Sequence, residues 1–417
     1  MYSSCSLPFN DDVLDHLFHR LPSFSDLQAT ILASKTCYAV FQRHSSSIVS
    51  AVAHTLVGPS LPQALLLARN GDVSNMPNQV PDRLITQEEA RALTRNHSVA
   101  RALEDFFSYR HKDRSSNISK LSTTESHRFH ATMYLISLFT QNFRAYPSTF
   151  HSDNDLGPSP LERIERKNFV SSFPSTELLE FRSGAYFLLG LAKWAARSDP
   201  EVEVGNTVLS AGLSSILRAA QRRDETFVAP YLRTYGDTYL LGSLDEILKE
   251  RGIKVLDGDF SRNYLLSDIV GFDVKCAQCR RSVGLNLWTL SNMNDQRCLS
   301  GQFSEFLLCE FLRGCLYQNT GDKMYLYSEV HSPFFSFSAM VEEINELAHY
   351  PMSPSNGLCH NCLERLIISN LHLWLLGRKI KGGHPIPQDC PSGYTCQEQD
   401  KVFHTIHFNH LCAPATK

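Results

Sequence analysis

The tightest constraint on the fold of this chain lies near its C-terminal end, where the stretch from Cys390 to Cys412 packs three cysteines and three histidines together. Cys390, Cys396, His404 and His410 form the frame, with Gly393 between the first two and Phe408 just before the last. Two thiolates and two imidazoles at such separations suit tetrahedral zinc. A segment this short cannot bury a core of its own, so a metal is a natural way to hold it. His407 and Cys412 are alternative ligands that would shift the register, and a disordered terminus is the alternative for the whole stretch.

A second set of cysteines lies upstream. Cys276-Ala277-Gln278-Cys279 is followed by Arg280 and Arg281, and Cys359-His360-Asn361-Cys362 opens a predicted helix. Two such CxxC knuckles can close a four-thiolate zinc site even when widely separated along the chain. The rivals are two reduced pairs, or a redox pair at Cys276 and Cys279 whose adjacent arginines lower a thiolate pKa. No thioredoxin-like βαβ pattern surrounds either pair. Cys298, Cys309 and Cys315 read as small buried hydrophobes. The opening residues MYSSCSLPFNDD lack a basic region followed by an apolar one, so no export signal is expected. Cysteines in such a chain point to metal ligation in a reducing compartment, the cytoplasm or nucleus.

The chain has 417 residues, of which 42% are hydrophobic and 20% charged, within the range of folded globular domains. Its net charge of −3 argues against a globally cationic nucleic-acid binder. No apolar run approaches the length of a bilayer span, so no membrane partner is expected. The patterning predicts a mainly α fold with minor β: a helical unit over 5–53, a helical domain over 84–251, an α+β region over 252–380 carrying the four cysteines, and the tail over 384–412. Thr86 and Glu89 form a capping-box pattern for one helix. Further helices are expected at 63–69, 128–146, 184–197, 207–223, 303–316 and 363–376. Short strands are expected at 253–256, 272–275 and 323–328. Enzyme motifs are absent: the run from Gly377 to Gly383 lacks the ending of a phosphate-binding loop, and there is no GxSxG, HExxH or GxGxxG. A non-enzymatic role is therefore expected.

The N-terminal unit resembles an F-box of the kind common at the start of fungal proteins. The residues that carry the resemblance are Leu7-Pro8, Val13-Leu14, Leu17-Phe18, Leu21-Pro22, Asp26-Leu27, Leu32, Ser34-Lys35, Tyr38 and Phe41. Extra sequence between Pro8 and Val13, and Tyr38 where many members have Trp, are departures. An ordinary helical hairpin is the alternative reading of the same periodicity. The resemblance implies a small helical hook that docks onto the Skp-type adaptor of a cullin–RING ubiquitin ligase. Leu7, Pro8, Leu14, Leu17, Leu21, Leu27 and Phe41 would supply the apolar surface. The rest of the chain would select an unidentified protein substrate.

The tail resembles the poly(ADP-ribose)-binding zinc finger, carried by Cys390, Gly393, Cys396, His404, Phe408 and His410. The resemblance implies that the two cysteines and two histidines are zinc ligands, that Gly393 allows the turn between the cysteines, and that Phe408 packs beneath the metal. Ser392 stands where that family favours an aromatic residue, and Gln397, Glu398 and Gln399 stand where it places basic ones. Arg378, Lys379 and Lys381 precede the tail and are either phosphate contacts or a solvated helix end. Two functions follow: a ubiquitin-ligase adaptor with structural zinc, or a zinc-dependent reader of nucleic acid or ADP-ribose polymer.

Overall fold

The computed structural model describes residues 10–69, 84–113, 116, 118–143, 160–195, 206–222, 225–229, 239–255, 264–268, 274–281, 287–290, 292–293, 308–332, 334–348, 352 and 356–415. It is mainly helical with minor strand. The chain divides into two compact units. The first comprises Met1–Ser108, Ile118–Ala196 and Pro200–Ser267, and the second Tyr109–Asn117, Arg197–Asp199 and Asp268–Lys417. The second unit thus takes in both the α+β region from Asp268 onward and the cysteine–histidine tail.

The first unit opens with three helices, α1 (Asp11–Phe18), α2 (Phe24–Ala33) and α3 (Lys35–Val57). Each starts on a short polar side chain that takes an otherwise unpaired backbone N–H. Asn10 Oδ1 accepts from Val13 N at 2.9 Å, Ser23 Oγ from Asp26 N at 3.1 Å, and Ser34 Oγ from Cys37 N at 3.1 Å. Leu14, Phe18, Leu27, Cys37, Val40, Ile48 and Val52 form a core of their own, with Leu21 and Phe41 packed at its margin. Arg43 ties α3 to Asp11 at 2.5 Å. Leu14 and Leu27, expected among the docking residues, are each 4% exposed and face inward. The outward apolar side chains are Val13, Leu17, Leu32 and Tyr38. Leu7 and Pro8 lie outside the described residues.

A sharp turn at Gly58 (φ 71) leads into α4 (Leu61–Ala68), the helix expected at 63–69. The apolar stretch 35–68 is long enough to cross a bilayer by length and composition. Here it breaks at that turn, and Ile48, Val52, Ala53 and Ala64 are buried against protein. Among the described residues the unit also holds α5 (Gln87–His111, whose last three residues fall in the second unit), α6 (Thr123–Asn142), α7 (Pro160–Ser171), α8 (Ser175–Ala195), α9 (Leu213–Arg222) and α10 (Leu240–Glu250). The capping box at Thr86 and Glu89 forms as expected, with Thr86 N donating to Glu89 Oε2 at 2.7 Å and Glu89 N to Thr86 Oγ1 at 3.2 Å. The helix expected over 207–223 is split: a 3-10 turn at Asn206–Ala211 precedes α9, and Gly212 (φ 80) lies between them. Gly184 lets α8 approach α6, because a Cβ there would fall 2.3 Å from Thr132 Cγ2.

A polar cluster is buried among α5 and α6. The Glu104 carboxylate is 2.7 Å from both Ser126 Oγ and His130 Nε2 and 3.0 Å from Arg101 Nη1. Burial alone would push this carboxyl up. Contacts from His130, Ser119 and Ser126 outweigh it and hold the pKa at about 2.

The second unit is built on α11 (Thr320–Val330), α12 (Phe337–Ala348) and α13 (His360–Lys381). Leu326, Val330, Val341, Ile344, Leu363, Leu366, Ile367 and Leu371 meet in its core. Residues 323–328, expected as a strand, are helical within α11. Asn319 Oδ1 accepts from Asp322 N at 3.1 Å, and Leu326 and Val330 fall one helical turn apart on the buried face. Residues 309–315, expected as part of a helix, are turns and irregular backbone, and residues 253–255 are irregular rather than strand. Among the described residues, the paired strands are two short pairs. β1 (Leu287–Trp288) runs antiparallel to β2 (Leu358–Cys359), and β3 (Gln388–Asp389) runs parallel to β4 (Phe408–Asn409). A final short helix, α14 (Val402–His407), precedes β4.

Candidate metal centres

The two cysteine–histidine sets each converge on a point. In the first, the sulfurs of Cys276, Cys279, Cys359 and Cys362 all lie within 4.8 Å of one another. The first knuckle is a tight turn in which Arg280 N donates to Cys276 O and Cys276 N to Arg281 O, both at 2.9 Å. It holds Arg280 at φ 60. The second knuckle is the junction of β2 and α13, where Cys359 is the residue that opens the helix. Pairing of Leu287 with Cys359 and of Trp288 with Leu358 fixes its position, and Ala277 N donates to Gly357 O at 3.0 Å to bring the knuckles together. Cys359 N then points at Cys276 Sγ, 3.2 Å away, and Cys279 Sγ stands 3.7 Å from Cys359 Sγ.

Electrostatics set these sulfurs apart. Burial pushes the Cys276 thiol up, but backbone N–H groups of Cys359, Cys279 and Gln278 outweigh it and hold it at about 6. Cys362 goes the other way, pushed up first by burial and then by the neighbouring sulfurs, and Cys359 is also raised, chiefly by burial. Alone, such a cluster resists ionising together. A divalent cation at its centre offsets the mutual repulsion and makes four thiolates compatible.

Gly357 is the hinge of this geometry. A Cβ there would lie 2.8 Å from Leu287 Cβ and 2.9 Å from Trp288 O. Gly357→Ala is therefore expected to pry β2 from β1, costing about 1–3 kcal/mol and weakening ion retention at this tetrad. Chelator competition on the two proteins reads the difference, and equal retention would contradict it.

The second set joins Cys390, Cys396, His404 and His410, again with ligand atoms within 4.8 Å of one another. Cys390 N donates to Asn409 O at 2.9 Å beside the β3–β4 pair, and Gly393 N to Cys390 O at 2.8 Å closes the turn between the cysteines. Gly393 is required here: its φ is 44, and a Cβ would meet Cys412 O at 2.3 Å. His404 rides on α14 with Nε2 at 3.4 Å from Cys396 Sγ and 3.8 Å from Cys390 Sγ. Phe408 lies against it, ring centroids 5.0 Å apart. His410 is 1% exposed, and neither of its ring nitrogens has a hydrogen-bond partner. Burial and then the neighbouring His404 keep its imidazole pKa low. A buried neutral imidazole with bare nitrogens beside two thiols is an incomplete polar site, and an ion would complete it.

The remaining sequence candidates lie elsewhere. His407 Nδ1 contacts Phe403 O at 2.7 Å on an exposed face, and Cys412 Sγ sits 3.4 Å from Asn409 O outside the tetrad. Cys309 is buried and Cys315 half-buried, while Cys298 lies outside the described residues. The three cations before the tail are each matched to a carboxylate: Arg378 to Glu329 at 2.8 Å, Lys379 to Asp322, and Lys381 to Glu343 at 3.6 Å.

Sequence reasoning missed how firmly the tail is docked. Tyr394, between the two cysteines, receives Cys315 N on its carbonyl at 2.8 Å and carries Arg313 over its ring at 4.5 Å. His372 of α13 meets the same ring edge-on at 5.2 Å, and Leu411 enters the core of the unit. A turn-forming sequence flanked by cysteines carries no signal for such contacts. No family model, curated protein or solved structure matches this chain.

Proposed function

We propose that this chain is a non-enzymatic recognition protein with two structural zinc ions in its second unit and an N-terminal helical hook that docks a Skp-type adaptor. It would thereby present a protein target to a cullin–RING ubiquitin ligase. The observation that carries the zinc reading is the spacing of the ligand atoms. Zinc–sulfur bonds of about 2.3 Å and zinc–nitrogen bonds of about 2.0 Å give tetrahedral edges near 3.8 Å for S···S and near 3.5 Å for S···N. The corresponding separations here are 3.7 Å between Cys279 and Cys359, and 3.4 and 3.8 Å from His404 to the two cysteines. Four protein ligands at each point favour closed, structural centres over a catalytic ion with an open position.

The docking half rests on the resemblance of the N-terminal sequence and on the apolar side chains that the hook leaves outward, Val13, Leu17, Leu32 and Tyr38. Because Leu17 is 48% exposed, Leu17→Asp tests docking without dismantling the core. Its expected result is adaptor capture lost in a pull-down with purified proteins, with the unfolding free energy changed by no more than about 0.5 kcal/mol. Capture that survives the substitution removes the adaptor role. Polymer binding is disfavoured because Arg378, Lys379 and Lys381 each already face a carboxylate, so a phosphate would compete for them.

A further inference from the structure

We propose that Glu398 is the positioning carboxylate of the second tetrad, holding the His404 imidazole with Nδ1 toward itself and Nε2 toward the ion. This rests on the reading of that tetrad as a zinc site. The ring of His404 lies between two unlike neighbours. Nε2 faces the sulfurs of Cys396 and Cys390, while Nδ1 stands 3.7 Å from Glu398 Oε2, an ion-pair separation rather than a hydrogen bond. The other carboxylate oxygen, Oε1, receives Lys401 Nζ at 2.6 Å.

The backbone aligns the three residues. Lys401 N donates to Glu398 O at 3.1 Å, and His404 N to Lys401 O at 3.0 Å, so each successive turn places the next side chain over the last. Lys401 thereby turns one carboxylate oxygen aside and leaves the other facing the imidazole.

An imidazole bound to a metal through one nitrogen donates through the other. A carboxylate there fixes the tautomer and strengthens the ligand. The second histidine sharpens the assignment. His410 has no hydrogen-bond partner on either ring nitrogen, whereas His404 has the Glu398 carboxylate 3.7 Å from its Nδ1. The glutamate that stands where the resembled family places a basic residue thus acquires a role toward the metal rather than toward an anion.

The test uses the full chain loaded with zinc, and compares wild type with Glu398→Gln, Lys401→Met and His404→Ala. Per-site affinity comes from competition with a chromogenic chelator, and the state of the His404 ring from nitrogen-15 NMR. Glu398→Gln is expected to weaken the second ion by about tenfold, to leave the first ion unchanged, and to shift the His404 Nδ1–H resonance upfield. Lys401→Met is expected to bind the second ion at least as tightly as wild type. Unchanged affinity and an unmoved Nδ1–H in Glu398→Gln would overturn the assignment. Equal weakening in Lys401→Met would also overturn it, because the effect would then belong to the turn and not to the carboxylate. His404→Ala keeps the underlying reading separate: if His404→Ala holds the second ion as tightly as wild type, the zinc site itself is wrong and the role of Glu398 falls with it.

Discussion

Serine in place of Cys390 is expected to lower the zinc content from two ions per chain to one and to unfold the tail. Beyond the ligands, the segment is held by the docking of Tyr394 and by a few short contacts. Its strands pair over two residues each, α14 has no buried side chain, and Leu411 is the main apolar anchor. Structural zinc in finger-sized peptides supplies about 10–16 kcal/mol of apparent folding free energy, far more than those contacts. Loss of the ion also strands His410, a buried imidazole with no partner, at a further cost of about 1–3 kcal/mol. Because Tyr394 caps Cys315 N, the damage should reach residues 313–316. Elemental analysis gives the stoichiometry, and hydrogen exchange at Cys390, Tyr394 and Leu411 gives the extent of unfolding. Cys412→Ser, outside the tetrad, should change neither. A Cys390→Ser protein that keeps both ions would refute the ligand set.

Glu104→Ala should destabilise the first unit by about 3–5 kcal/mol, the usual result of removing one partner from a buried charged pair. The carboxylate is 1% exposed and accepts from Ser126 and Arg101, with His130 at 2.7 Å. Its removal leaves all three facing a small cavity. Acid should reproduce part of this effect. His97, which lies edge-on to His130, has its pKa lowered from 6.5 to about 4, by burial first and then by the neighbouring His130 and Arg101. The unfolded chain therefore binds the extra proton first, and stability falls as pH drops from 6.5 toward 4. Glu104, lowered from 4.5 to about 2, contributes stability above pH 4.5 that is lost as pH falls toward 2. Denaturant titrations of both proteins across this range check the prediction. The variant should lose the lower part of the acid sensitivity, and parallel curves would refute it.

The sequence shows the tetrads because metal ligation needs particular atoms at short chain separation, and the members of each knuckle are neighbours in sequence. What joins one knuckle to the other is less visible: the β1–β2 pair and the close approach at Gly357 depend on residues far apart in the chain. Helix starts were legible where a cap is local, as at Thr86. They were not where packing decides, as at 323–328, whose aromatic and β-tolerant residues suit a strand until Asn319 caps a helix and Leu326 and Val330 find the core. The N-terminal periodicity announces helices but not which apolar side chains face inward. Leu14 and Leu27 follow the same spacing as Leu17, and only the arrangement of α1 to α3 separates core from surface. Glu398 looked like a mismatch to an anion-binding pattern because its partner, the far nitrogen of His404, is defined only once the ring is placed.

The parallel pairing of β3 with β4 carries a consequence for the order of assembly. Parallel neighbours cannot be joined by a tight hairpin, and here the crossover between them contains Cys390, Cys396 and His404. The two strands can meet only after the intervening chain has curled back on itself, and an ion gathering those side chains would favour that closure. The ladder is then expected to form together with that closure rather than before it. The amide of Cys390, bonded across to Asn409, becomes an intrinsic timer for loading: it should gain protection from exchange at the rate at which the centre fills, without any label attached to the protein.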